Sequence, residues 1–512
     1  MGTQGHYARV RSVGLVGLDG HLVEVEADLA PGIPSFVLSG LPDAAVCQAR
    51  DRVRAAVLNS GEAWPNRRIT VNLLPAFVPK RGSGFDLAVA AAVLCATGVV
   101  PSGALAGVVL LGELGLDGCV RSIAGVLPAV LAAMRAGVRR VVVPAGNVRE
   151  ALLVPSIEAY GVESLRHLLG VLRGESDPPS PPPPVPEPSA AGMPDLRDVA
   201  GQQTGRRALE VAAAGGHHLA FFGPPGGGKT MLAERLPGIL PPLDDAEALE
   251  VTAVYSVAGS LPADTSLIRR PPYQAPHHTA TAAALVGGGS GIARPGVLTL
   301  AHRGVLFLDE APEFGASVLD ALREPLEKGE ITLVRARGGA RYPAQVQLVL
   351  AANPCACATA AGDWECTCSP LARRRYLGRI SGPLLDRVDI QVELLPVAAA
   401  HLLVAEADVE CSATVAERVL KARAVAAERW GTAGRAWRTN AEVPAADLRS
   451  ARWRLPRSVT TPADRYVDLG RLSARGYHRV LRLAWTVADL AGRDRPDVGD
   501  VSEAIQLRIR GT

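Results

Sequence analysis

Gly223-Pro224-Pro225-Gly226-Gly227-Gly228-Lys229-Thr230 lies between an apolar run, His218–Phe222, and a segment of helical character that opens at Met231. The order is strand, glycine-rich turn, helix. Glycines let successive backbone N–H groups curl towards one point, and a helix N-terminus adds its dipole there. Gly223 to Met231 therefore reads as a phosphate cradle. Lys229 supplies a point charge for the terminal phosphates, and Thr230 a hydroxyl for Mg²⁺. Of 54 basic residues only Lys80, Lys229, Lys328 and Lys421 are lysines, so arginine is the default cation and a lysine here stands out. The pattern predicts ATP with Mg²⁺ as ligand.

Two later runs fit the same site. Gly304–Leu308 is apolar and ends in Asp309 and Glu310, as a buried parallel strand with its ligand end at the C-terminus should. Asp309 is expected in the Mg²⁺ shell, and Glu310 is expected to polarise the attacking water. Val346–Ala351 reads as a third strand running into Asn353, a polar residue that can help position that water. Taken by itself, Asn353-Pro354 is equally a turn signal.

Working outward, 512 residues predict several domains, and 48% hydrophobic with 21% charged residues excludes a mainly disordered chain. A net charge of +3 excludes a chain-wide basic character. Leu87–Gly112 carries no charge and is long enough to span a bilayer. Pro101-Ser102-Gly103 breaks it, so it reads as a buried helix, a turn and a buried strand, with no membrane role expected. The N-terminus does not read as a signal peptide, and eight cysteines then imply a reducing compartment, the cytoplasm. Ser176–Pro194 is nearly half proline and reads as an extended linker. It separates 1–175, with α/β patterning, from 195–395, where strand and helix signals alternate. The remaining 396–512 reads as helices.

The motifs in order resemble the AAA+ ATPases. Further stretches narrow the resemblance to the magnesium-chelatase-like branch and its ComM/YifB family: Gly40–Gly61, Arg68–Pro75, Ala275–Thr281, Arg294–Phe314, Leu322–Gly338, Tyr376–Ile390 and Leu472–Leu490. The resemblance implies an α/β AAA+ domain with a P-loop parallel sheet, an all-α C-terminal lid and an N-terminal α+β domain with the Lon protease fold. It also implies an arginine finger at Arg387 that reaches the neighbouring subunit's γ-phosphate, a sensor-2 arginine at Arg475 that acts on its own subunit's nucleotide or a neighbour's, and adenine bordered by Asp198–Gln202. Each arginine read by itself fits a surface ion pair as well. In the Lon-like domain the lysine position of the protease dyad holds Leu127, and the serine position falls near Gly84, beside Ser83. No lysine follows Ser83 before Lys229, so protease activity is not expected.

The family likeness implies a homohexameric ring acting on DNA as a helicase or branch-migration motor in recombination or transformation. A chelatase-type motor and a protein-remodelling ATPase remain alternatives. Arg335, Arg337 and Arg341 flank a Gly338-Gly339 turn in a strand–turn–strand pattern, suited to a DNA backbone or to plain solvation. Nine arginines against two aspartates in Arg449–Arg482 are a second basic concentration. Cys355, Cys357, Cys366 and Cys368 suit tetrahedral Zn²⁺, although C-x-C spacing is tighter than usual and four unligated thiols fit too.

Overall fold

The computed structural model describes residues 6–509 except 81, 102, 184–191, 263–265, 289–293, 336–337, 358–365 and 397–408. Arg337 and part of the proline-rich linker lie outside the described residues, as does the side chain of Arg335.

The N-terminal unit is built on a seven-stranded sheet. Its order is Ser35–Ser39, Arg68–Leu74, Asp19–Ala30, Tyr7–Val16, Val108–Leu110, Arg140–Pro144, Glu158–Val162. Val23, Val25, Ala27 and Leu29 are buried while the residues between them are not, the period-2 pattern of a sheet with one covered face. The sequence reading missed Tyr7–Val16, Ser35–Ser39 and Glu158–Val162. Tyr7–Val16 pairs antiparallel with Asp19–Ala30 through the Gly17-Leu18 turn, and its alternation is blurred by buried Ser12 and half-buried Leu15 and Val16. Two helices, Ala44–Cys47 and Ala49–Asn59, meet at Gln48.

The uncharged Leu87–Gly112 stretch divides as its composition suggests. Asp86–Ala96 is a helix buried almost all round, and Val108–Leu110 lies inside the sheet. Asp86 begins that helix at full burial and is held bidentately by Arg52, Nε at 2.7 Å and Nη2 at 3.0 Å. No helix among the described residues is long and apolar enough to cross a membrane.

A second, five-stranded sheet carries the cradle. Its strands, in order Tyr273–Gln274, Val305–Leu308, Gln347–Ala352, Leu219–Phe222, Ile390–Glu393, all pair in parallel. Leu219–Phe222 therefore has later strands on both sides. At such a switch point the loops leaving neighbouring strands diverge and open a crevice at the C-terminal edge. The helical part follows: Ser412–Thr432, Arg457–Asp468, Ala474–Leu490 and Val498–Arg508. Arg457–Asp468 carries Pro462 inside it. These helices share one hydrophobic cluster with the sheet, running from Leu219 and Val349 to Trp430 and Trp485.

The two units touch. Glu150 is buried and accepts from Leu127 N at 2.8 Å, from Asn147 Nδ2 at 2.9 Å and from Ser256 Oγ across the boundary. Gly125 N donates to Ser256 O at 3.0 Å.

Candidate nucleotide site

Gly223 leaves the strand with φ +149, and a Cβ there would stand 2.1 Å from Leu394 O. A side chain is therefore excluded by backbone conformation and by space together. Gly228, φ +79, turns the chain into the helix Lys229–Ile239. Gln202 fastens the loop from outside, its Nε2 donating to Gly227 O at 2.9 Å and Leu395 O at 2.6 Å. Met231 is exposed in the first helical turn. Asp198, in the segment tied to adenine by resemblance, accepts from Arg235 Nη2 at 3.0 Å.

Lys229 is buried, yet its ammonium is surrounded by oxygen. Nζ donates to Gly223 O at 2.7 Å, Pro224 O at 2.8 Å and Asn353 Oδ1 at 2.9 Å. Burial draws its pKa down, and the charges of Asp309 and Glu310 oppose that shift. Asn353, buried just past Gln347–Ala352, is thus brought to the cradle itself. Thr230 Oγ1 donates to Asp309 Oδ2 at 2.7 Å. This hydroxyl–carboxylate pair is an all-oxygen donor set that fits Mg²⁺. Glu310 follows with φ +49, a left-handed conformation uncommon for a non-glycine residue, and its side chain is half exposed. Lys229, Thr230, Asp309, Glu310 and Asn353 so converge from three adjacent parallel strands.

Arg387 and Arg475 stand together elsewhere. Glu327 pairs with Arg387, whose Nη1 also donates to Pro383 O at 2.8 Å. The Arg387 hydrogen bond, and then the charges of Arg387 and Arg475, hold the Glu327 carboxyl below its usual range. Both arginines line a cleft of 980 Å³ with Glu327, Asp386 and Arg479, and no cradle residue named above lines it.

Sequence reasoning missed the groups that fix this second place. Asp389 is buried and paired with Arg479, and it accepts from His217 Nδ1 at 2.9 Å. Burial opposes its ionisation, but the His217 hydrogen bond and the Arg479 charge outweigh burial and hold the carboxyl far below the usual range. Arg479 Nη1 also donates to Arg387 O at 3.2 Å. Arg479 and Arg482 were counted in the basic concentration. They are half-buried and bound to Asp389 and to Val443 O, whereas Arg449, Arg452, Arg454, Arg457, Arg465, Arg471 and Arg475 are exposed. His278 was likewise missed as a contact of Glu310, its Nδ1 lying 3.3 Å from Oε2. The signal was present in the quoted Ala275–Thr281 stretch.

The expected hairpin forms, Glu330–Arg335 against Gly338–Pro343. Ala340 and Tyr342 are buried against Leu18 of the N-terminal unit and Val257 of the helix Asp245–Ala258, and Arg341 between them is exposed on the other face. In the Lon-like unit Leu127 is buried, Ser83 Oγ donates to Glu113, and Lys80 Nζ donates to Pro75 O. The four cysteines gather, with Sγ–Sγ distances of 2.9 Å (Cys355–Cys357) and 3.3 Å (Cys355–Cys366 and Cys357–Cys366). Hydrogen bonds, the Cys368 backbone first, pull the Cys366 thiol down to about 6.

The family description "Magnesium chelatase, subunit ChlI" matches residues 195–402, its relative "Subunit ChlI of Mg-chelatase" matches 25–147, and "subunit ChlI C-terminal" matches 409–508. The competence protein ComM of Haemophilus influenzae is 40% identical over 505 residues, covering 98% of this chain and 97% of that one. The chain belongs to the ComM/YifB family of magnesium-chelatase-like proteins. YifB of Escherichia coli, another member, is 38% identical over 495 residues, 96% of this chain and 95% of YifB. A Thermococcus kodakarensis archaeal Lon protease is 27% identical over 177 residues, 33% of this chain and 28% of that protein. Of the motifs shared with that family, Gly223–Thr230, Asp309-Glu310 and Asn353 meet at the C-terminal edge of the parallel sheet.

Proposed function

We propose that the chain is an Mg²⁺-dependent ATPase, a AAA+ motor assembling as a homohexamer that unwinds or branch-migrates DNA in recombination or in uptake of transforming DNA. The observation that carries it is the convergence of Lys229, Thr230, Asp309, Glu310 and Asn353 on one cradle. Lys229 exchanges its carbonyl partners for phosphate oxygens, and the loop N–H groups orient the triphosphate. Thr230 and Asp309 would hold Mg²⁺, which when bound neutralises charge on the phosphates. Glu310 orients and deprotonates the attacking water, and Asn353 helps to place it.

Arg387 and Arg475 belong to a cleft separate from their own cradle. This supports a ring in which both arginines serve the nucleotide of the neighbouring subunit. The DNA reading is supported by the exposed arginines of 449–475, by Arg341, and by the competence role in the name of the Haemophilus relative. The Lon-like unit serves assembly or substrate contact, because Leu127 and Gly84 offer no nucleophile–base pair.

The test is ATP-driven strand displacement on a forked duplex, with Lys229→Ala as control. Displacement that needs ATP and vanishes in the variant supports the reading. A hexamer that hydrolyses ATP but neither binds nor opens any fork at low salt would leave a protein-remodelling or chelatase motor in its place.

A further inference from the structure

The cysteine cluster lies between the two parts of the hydrolytic apparatus. On its N-terminal side, Gln347–Ala352 delivers Asn353, and Cys355 follows two residues later, 3% exposed. On its C-terminal side, Ser369 caps the helix Pro370–Leu377 by accepting from Ala372 N at 3.2 Å. That helix leads to Arg379, whose Nη1 donates to Pro312 O at 3.2 Å and Glu313 Oε2 at 3.1 Å, in the turn that follows Glu310. Ser381 Oγ then donates to Asp320 Oδ1 at 3.0 Å, and the chain runs on to Arg387. One short segment thus touches Asn353 at one end and the Glu310 turn and Arg387 at the other.

All four Sγ atoms of Cys355, Cys357, Cys366 and Cys368 lie within 4.8 Å of one another. A tetrahedral tetrathiolate zinc site, with Zn–S near 2.3 Å, has S–S edges of about 3.8 Å. The separations of 2.9 and 3.3 Å among Cys355, Cys357 and Cys366 lie inside that edge, so the sulfurs spread by about 0.5–0.9 Å to admit the ion.

We infer that these four cysteines bind one structural Zn²⁺, which ties the strand end bearing Asn353 to the helix Pro370–Leu377 and so fixes the spacing between Asn353 and the Glu310 and Arg387 segments. The binding claim stands alone, and the positioning claim rests on the ATPase reading. All four ligand positions are taken by protein, so the ion is closed to solvent chemistry and acts by holding. The cysteines are positioning residues for hydrolysis.

Elemental analysis of the full chain purified with reductant tests the site: about one zinc per chain is expected, lost in Cys366→Ser and in Cys357→Ser. Cobalt substitution should give the visible bands of a tetrahedral thiolate complex. No metal after purification with Zn²⁺, iron in its place, or zinc retained by both variants overturns the site. Steady-state hydrolysis tests its role. Stripping with a chelator should lower kcat by roughly 10–100-fold with the KM for ATP little changed, and added Zn²⁺ should restore it. Zinc removed with kcat unchanged overturns the positioning role. Hydrolysis by the zinc-loaded wild type that is insensitive to Lys229→Ala would bring down the ATPase reading while leaving the zinc count intact.

Discussion

Asp389→Asn removes one charge from a site where two elements meet. Asp389 is 3% exposed and neutralises Arg479, which is 18% exposed at its side chain and carries Arg387 O at 3.2 Å. Breaking a buried pair by removing one partner costs ~3–5 kcal/mol, because the other charge is left uncompensated, and the partial exposure of Arg479 brings this towards ~3 kcal/mol. Trp430 and Trp485 pack edge to face, and Trp430 Nε1 donates to Asn440, whose Nδ2 reaches Thr486 Oγ1, itself bonded to His217. Tryptophan fluorescence during urea unfolding therefore reports on this network. The expected loss is ~3 kcal/mol, about half recovered in Asp389→Asn with Arg479→Gln, where the directly paired charge is gone and only Arg482 and Arg508 still lack the carboxylate. Hydrolysis should respond differently. A misplacement of about 1 Å in a catalytic group can cost ~10²-fold, so kcat should drop by about that factor in both the single and the double variant. Nucleotide affinity of the cradle should stay near that of the wild type. A stability change under ~1 kcal/mol, or a double variant with restored kcat, would refute the idea that Asp389 holds Arg387 through Arg479.

Arg387→Ala and Glu310→Gln should each abolish most turnover, the arginine by ~10³–10⁵-fold, and mixing the two should restore part of it, because a wild-type cradle then faces a wild-type finger at some interfaces. Equal inactivity of mixture and components would place Arg387 outside the neighbour's site. Gly223→Ala should lose ATP binding in a fluorescent-nucleotide assay, since a Cβ meets Leu394 O at 2.1 Å; near-normal affinity would contradict the close approach. Stability should fall as the pH drops from about 6.5 to about 4. Burial lowers His218 to about 4, and its neutral Nδ1 accepts from Leu348 N at 3.1 Å, so in that window the unfolded chain takes a proton that the folded chain refuses. His218→Gln should flatten that slope in a pH series of thermal melts, and an unchanged slope would clear the residue of the role.

The cradle was legible because its chemistry is local. Gly223–Thr230 are consecutive, and the apolar runs ending at Asp309 and Asn353 announce parallel strands by themselves. The strand pairing that brings them together is not local, yet the alternation of strand and helix leaves few topologies for it. The Tyr7–Val16 strand was not legible, because buried Ser12 and half-buried ends mask its period. The division of the basic run was also hidden. Arg475 and Arg479 lie four residues apart on one helix, and only the fold shows the second turned to Asp389 and the first left exposed. His217 and Asp389 are far apart in sequence, and nothing in either segment marks the pair. The cysteines could be counted from sequence, but the gathering of their sulfurs within 4.8 Å is a property of the fold.

The most direct test of the central claim is ATP turnover by the full chain with and without single-stranded or forked DNA at low salt. The account predicts Mg²⁺-dependent turnover that rises on adding DNA, loses the stimulation as salt rises, and disappears in Lys229→Ala. Turnover indifferent to every DNA structure, or surviving without the Lys229 ammonium, would contradict it.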